Sequence, residues 1–189
     1  HWNLRGWEHD CLYTQFTGGY RAFYGHSAGI HCVAFSPDGM RLASGDGNNV
    51  VKLWDVSNNA AIATIRTKKQ GHDSVGALAF SPDGARVVGG FRSGAILIWN
   101  LTGQVVSTLG GHTAHVSCVS FSPDGNHVLS GSEDNTASLW DATNGKLVHT
   151  FSGHREAVNA VAFSPDGTHI ASGSRNGQIR LWAAASRSE

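Results

Sequence analysis

The sequence repeats itself four times. Gly-His stands at 25–26, 71–72, 111–112 and 153–154, Phe-Ser-Pro-Asp-Gly at 35–39, 80–84, 121–125 and 163–167, and an apolar residue followed by tryptophan at 53–54, 98–99, 139–140 and 181–182. The landmarks keep their order, and Trp54, Trp99, Trp140 and Trp182 lie 45, 41 and 42 residues apart. A fixed period of this size constrains the fold more than any local propensity does. Each repeat is one supersecondary unit that buries its faces only by stacking on its neighbours.

The third copy, Gly110 to Asp141, shows what one unit must be. Ser-Pro-Asp-Gly is a turn: proline presets φ at the second position, Asp tolerates the next, and Gly supplies the positive φ that closes it. The runs beside it, Val116–Phe121 and His127–Leu129, are rich in β-branched or small residues, as strands buried on both faces require. A second turn, Glu133-Asp134-Asn135, leads into an alternating run, Ala137–Trp140, and a fourth strand follows at Lys146–Phe151. The pattern predicts an all-β chain of four-stranded antiparallel meanders with no room for a helix. Composition agrees: charged residues are 15% of the chain, and there are 24 glycines, against about 25% charged in ordinary soluble domains.

These landmarks resemble those of the WD-repeat (tryptophan-aspartate repeat) β-propeller family, over about residues 20–182. The resemblance implies four propeller blades. Family rings most often have seven, so four repeats imply part of a larger ring, a ring completed by a second copy, or a small ring or open arc. Residues 1–19 read as an N-terminal extension or the remnant of a preceding blade, 20–182 as the four blades, and 183–189 as a flexible tail. Tyr20–Tyr24 is an alternative outer strand, and an N-terminal strand would complete the fourth blade. In the family the Gly-His histidine, a serine, a turn Asp and the tryptophan form a buried hydrogen-bonded chain. Carried over, these are His112, Ser130, Asp134 and Trp140 in repeat three. Repeat one offers His26, Ser44, Asn48 and Trp54, and repeat four His154, Ser172, Asn176 and Trp182, each with Asn as acceptor in place of Asp. Repeat two offers His72, Gly89, Ser93 and Trp99, with two members lost or shortened, and is expected to be the loosest blade.

Chemistry is sparse. Lys plus Arg and Asp plus Glu both number 14, so no basic stripe points to nucleic acid; Arg66-Thr67-Lys68-Lys69 is too short to make one. No apolar run approaches the ~18 residues that span a bilayer. Cys32 and Cys118 hold the same strand position as Ala77 and Ala160, a packing site and not a disulfide pair. With Cys11 they favour a reducing, cytoplasmic setting. There is no nucleophile elbow, phosphate loop or dinucleotide fingerprint. His112 and His115 make half a metal site that nothing completes, and His1, His9 and Cys11 offer only a stray terminal one. No metal or cofactor is expected, and the chain does not read as an enzyme.

What remains is a binding module. The resemblance implies a partner-binding face built beside the first strand and before the turn Asp. It comprises Gly29, His31 and Gly47 in repeat one, and Ser74, Gly76 and Arg92 in repeat two. Repeats three and four supply His115, Ser117, Glu133, Ala157, Asn159 and Arg175. His31, Arg92, His115, Ser117, Glu133, Asn159 and Arg175 are the candidate contacts to a protein or peptide, as in a non-catalytic interaction scaffold or sensor. The alternatives are a lectin-like propeller binding a small ligand or glycan, for which Phe91 is the one candidate aromatic, and a regulatory domain of a larger multidomain protein. Homodimerisation, or association with the rest of a longer propeller, is the expected assembly.

Overall fold

A computed structural model describes residues 20–66 and 73–184. These residues form fifteen strands and no helix. Blade one is β1 (Ile30–Phe35), β2 (Arg41–Asp46), β3 (Val50–Asp55) and β4 (Ala61–Arg66). Blade two is β5 (Val75–Phe80), β6 (Arg86–Phe91), β7 (Ile96–Asn100) and β8 (Val105–Leu109). Blade three is β9 (Val116–Phe121), β10 (His127–Ser132), β11 (Ala137–Asp141) and β12 (Leu147–Phe151). Blade four has three strands, β13 (Val158–Phe163), β14 (His169–Ser174) and β15 (Ile179–Ala183). Every sheet is an antiparallel meander in chain order, the all-β blade architecture predicted from the turns. Among the described residues no helix is long and apolar enough to cross a membrane.

The turns explain the meanders. In each Ser-Pro-Asp-Gly turn the glycine sits at φ 66° to 72°, which costs a residue with a Cβ but not glycine. In the first, the Met40 amide donates to Asp38 Oδ1 and the Arg41 amide to Ser36 Oγ, both at 2.9 Å. The other three turns repeat both bonds. The bonds that close the hairpin thus all lie within six adjacent residues, Ser36 to Arg41 in the first blade. The Asn100-Leu101-Thr102 segment is also a turn device. Asn100 Oδ1 accepts from the Thr102 amide and hydroxyl and the Gln104 amide, as Asp55 and Asp141 do in their blades.

Blades join through one repeated contact. The aliphatic residue opening each blade seats on a glycine of the preceding second strand. A Cβ added at Gly45 would lie 2.6 Å from Val75, at Gly90 2.5 Å from Val116, and at Gly131 2.8 Å from Val158. The cysteines lie in the same joints, with Cys32 Sγ 3.7 Å from the Val75 carbonyl oxygen and Cys118 Sγ 3.9 Å from that of Val158. Burial pushes the Cys32 thiol up to about 12 and the Cys118 thiol up to about 11; both are free.

Among the described residues nothing covers the two ends of this stack. Phe35 is 63% exposed, whereas its counterparts Phe80 and Phe121 are buried under the preceding blade. Ile179 and Leu181 are 79% and 71% exposed, where Ile96, Ala137, Ile98 and Leu139 are buried. The ring is not closed within the described residues. Tyr20–Tyr24 forms no strand; Tyr20 and Tyr24 are exposed while the Phe23 ring packs edge-on against Trp54. The proposed strand donor within residues 1–19, the basic loop at 67–69, His72, His1, His9, Cys11 and the tail at 185–189 fall outside the described residues.

Blade two, expected to be the loosest, is packed differently. Phe91 replaces a polar residue at the end of the second strand and is 1% exposed, edge-on against Trp99 with ring centroids 6.0 Å apart. Gly89 makes room for this, since a Cβ there would lie 2.7 Å from the Trp99 ring. An aromatic pair has taken the place of a hydroxyl network. Because Phe91 is buried, it offers no stacking platform, and the lectin-like alternative loses its one aromatic.

Candidate functional site

Among the described residues the strands carry the Gly-His loops of blades one, three and four, and the second turns, to one end of the blades, and the Ser-Pro-Asp-Gly turns to the other. At the Gly-His end of blade three, Trp140 Nε1 donates to Ser130 Oγ at 2.8 Å. His112 Nε2 lies 2.8 Å from the same oxygen and Nδ1 2.8 Å from Asp134 Oδ2. A carboxylate only accepts, so Nδ1 carries the ring proton, the Ser130 hydroxyl donates to Nε2, and its oxygen is left to take the indole N–H. Each buried polar atom is satisfied in turn. Burial pushes the Asp134 carboxyl up, but the Thr136 hydroxyl, the His112 ring and the Thr113 amide outweigh it, and the net shift is downward. The network ties the loop before β9 to the turn after β10, which fixes the backbone on which the face residues stand. Both ring nitrogens of His112 are engaged, so it has no lone pair to offer a metal beside His115.

The other blades solve the same problem with different atoms. In blade one the acceptor is Asp46, not Asn48. Asp46 Oδ2 lies 2.8 Å from His26 Nδ1, and the Ser44 hydroxyl donates to His26 Nε2 while its oxygen accepts from Trp54 Nε1. Asp46 ends β2 two residues before the expected position; its other oxygen accepts the Asn48 and Val50 amides, so Asn48 is held by the network's acid and does not replace it. In blade four, Ser172 bridges His154 Nε2 and Trp182 Nε1. Asn176 Oδ1 turns instead to the Gln178 amide, and His154 Nδ1 is buried without a partner. Burial, with Arg180 nearby, holds the His154 ring below its usual value. In blade two the carboxylate has changed sides. Ser93 holds the turn position, and its amide and hydroxyl donate to Asp73, which precedes β5, at 2.7 Å each. Trp99 Nε1 has no partner among the described residues.

The predicted contact residues do not all converge. Glu133 and Arg175 line one groove of about 540 Å³ between blades three and four, with Asn135, Arg155, Glu156 and Ala157. His31, Arg92 and Asn159 are exposed at the same end but outside this lining. His115 is half-buried. Its Nδ1 lies 3.6 Å from Glu133 Oε1, and its Nε2 packs so closely on Gly76 that a Cβ there would meet it at 2.2 Å. Ser117 is engaged within the protein, its hydroxyl 2.6 Å from the Val158 carbonyl across the joint. The sequence reading missed Arg155, Glu156 and Asn135. The signal was present, because the two residues after Gly-His are Ser-Ala, Asp-Ser, Thr-Ala and then Arg-Glu, and only the last pair carries two opposite charges. Among the described residues Arg155, Glu156 and Arg175 make no ion pair, and no three His, Cys, Asp or Glu side chains are placed to hold a metal ion.

Comparison with known proteins agrees with the blade pattern. The family model described as WD domain, G-beta repeat matches residues 19–55, 63–100, 103–141 and 145–183. The Notchless protein homolog of Arabidopsis thaliana is 45% identical over 42 residues, covering 22% of this chain and 9% of that protein. The small ribosomal subunit protein RACK1y of Oryza sativa subsp. japonica is 39% identical over 66 residues, covering 34% of this chain and 18% of that protein. The U3 small nucleolar RNA-associated protein 15 homolog of Xenopus laevis is 41% identical over 46 residues, covering 24% and 9%. The matches span less than a fifth of these relatives and one to about one and a half repeats of this chain. The shared identity is therefore that of the repeat scaffold.

Proposed function

The chain belongs to the WD domain, G-beta repeat family, and on that premise we propose that it is a non-catalytic docking module that holds a protein or peptide segment at the Gly-His end of its blades. The observation that carries this reading is the groove between blades three and four. It presents two guanidinium groups, Arg155 and Arg175, and two carboxylates, Glu133 and Glu156, on a backbone fixed by the networks beneath. Exposed charges of both signs, unpaired among themselves, fit a segment that itself carries both signs. Arginine in particular is enriched among residues that dominate binding energy. A nucleic-acid backbone would call for an excess of positive charge, which neither the groove nor the balanced chain supplies. Two relatives, named for the small ribosomal subunit and for association with U3 small nucleolar RNA, support a place within a larger assembly, reached here through protein contacts.

The test is a peptide array of mixed-charge segments, followed by titration of the best binder. Arg175→Ala and Arg155→Ala should each weaken binding about tenfold or more, in the range of an interface hot spot, and leave the melting temperature unchanged. Equal affinity in both variants would remove the groove from the reading. The bare ends of the stack support closure by further blades or by a second copy, because Gly173 is an unused seat whose added Cβ would meet nothing nearer than Ala160, at 3.7 Å. Light scattering together with intact mass separates the two: a heavier chain means further blades, and a doubled particle of the 20.0 kDa chain means a second copy.

A further inference from the structure

The joint between blades two and three contains an arginine that the next joint lacks. Arg86 opens β6 and crosses to blade three, where its Nη2 donates to the Gly125 carbonyl at 2.8 Å and its guanidinium carbon lies 5.4 Å from the centroid of the Phe121 ring. Phe121 is buried beneath it. The corresponding residues of the following joint are His127, Gly167 and Phe163. An imidazole is too short to span the gap, and no described side chain donates to the Gly167 carbonyl. Phe163 is half-buried. The space left at this joint is a cavity of about 760 Å³ at the Ser-Pro-Asp-Gly end, walled by Phe163, Leu139 and Val148, with Asp124 and Asp166 in its lining.

We propose that this cavity receives the arginine side chain of a partner polypeptide, which repeats on blade four what Arg86 does on blade three. The guanidinium lies over the Phe163 ring, donates to the Gly167 carbonyl and faces the two carboxylates. A cation over an aromatic face is attracted by the ring quadrupole, and only a planar guanidinium stacks and donates in the same pose, so lysine is the poorer fit. The Ser164 hydroxyl and the Thr168 amide and hydroxyl hold the Asp166 carboxyl down at about 2. Asp124, which burial pushes up, is brought below its ordinary value by the Ser122 hydroxyl and Asn126. Both are charged at neutral pH. Val148 in the wall and its neighbour Leu147 on β12 are exposed and offer apolar surface to the residues flanking the arginine, which favours a peptide over the free amino acid. The site lies at the opposite end of the blades from the mixed-charge groove and does not depend on it.

The experiment is an NMR titration of the ¹⁵N-labelled chain with acetyl-Leu-Arg-Leu-amide and with its citrulline counterpart, which keeps the shape and loses the charge. The arginine peptide should shift the Phe163 and Gly167 amides saturably, and the citrulline peptide should bind about tenfold more weakly or worse. His127→Arg supplies the arginine from within. It should abolish peptide binding and raise the melting temperature by about 2–4 °C. Phe163→Leu keeps the fold and should weaken binding. Equal binding of the citrulline peptide, equal binding of free arginine, or undiminished binding to His127→Arg overturns the proposal. So does saturation seen only after Arg187→Ala, which would assign the cavity to the chain's own tail.

Discussion

Blades three and four differ, at their buried histidines, in whether the turn residue offers a carboxylate or an amide. His112 and His154 are 7% and 6% exposed, and each has its Nε2 on a serine that also takes the blade's indole. Asp134 Oδ1 accepts the Thr136 amide at 3.0 Å, and Asn176 Oδ1 the Gln178 amide at 3.1 Å. At the second terminal atom they part: Asp134 Oδ2 meets His112 Nδ1, whereas His154 Nδ1 meets nothing. Asn176→Asp is a nearly isosteric change that supplies the missing acceptor. Relieving one unsatisfied buried polar atom is worth about 1–3 kcal/mol. Residue 176 is exposed, so its charge is partly screened and the lower half of that range applies, about 1–2 kcal/mol. At about 2–4 °C per kcal/mol for a chain of this size, the melting temperature should rise by about 2–8 °C.

The pH dependence gives an independent check. In the parent, the folded ring of His154 lies below its ordinary value of 6.5 because of burial and Arg180. The unfolded chain therefore takes up a proton that the folded chain refuses, and stability falls as pH drops through about 6.5. In Asn176→Asp the new carboxylate favours the imidazolium and raises the folded value. Such a group contributes stability that is fully present below the unfolded value and is lost as pH rises through the folded one. The advantage of the variant should therefore widen between pH 7.5 and 5.5. Urea unfolding followed by tryptophan fluorescence at both pH values measures it. No gain at either pH, or a gain that shrinks on acidification, would refute the assignment of His154 Nδ1 as an orphaned atom.

Three other outcomes are expected. Gly90→Ala forces a methyl to 2.5 Å from Val116; thermal melts should show about 1–3 kcal/mol lost, and an unchanged melting temperature would contradict the blade-on-glycine joint. Ser130→Ala removes the oxygen between His112 Nε2 and Trp140 Nε1, leaving two buried groups unmatched. It should cost about 2–4 kcal/mol in urea unfolding, against little for Ser117→Ala. Cys32 and Cys118, with thiols raised to about 12 and 11, should resist iodoacetamide at pH 8 until the chain unfolds, as peptide-mapped labelling reports.

The sequence alone determined the blades. Their turns depend on residues within five positions of one another: Ser36, Asp38 and Gly39 make the first hairpin with bonds to Met40 and Arg41, and the same letters recur three times. Where an interaction is that local, reading letters in order is enough. What the letters did not reveal is which atoms meet across strands. Asp46 took the role assigned to Asn48 because a carboxylate at the end of β2 reaches His26 as readily as one in the turn, and position in a repeat does not encode reach. Asp73 and Ser93 exchanged acid and hydroxyl across a gap of twenty residues, leaving the contact in place and the motif unrecognisable. Phe91 looked like a loop aromatic and proved to be core, because Gly89 let Trp99 lean into the space a serine would hold. The groove that joins Glu133 to Arg155, Glu156 and Arg175, and the cavity left where His127 stands in for an arginine, exist only once blade four is stacked on blade three. Stacking is set by side-chain volumes on two different repeats at once, and only the tertiary structure compares them.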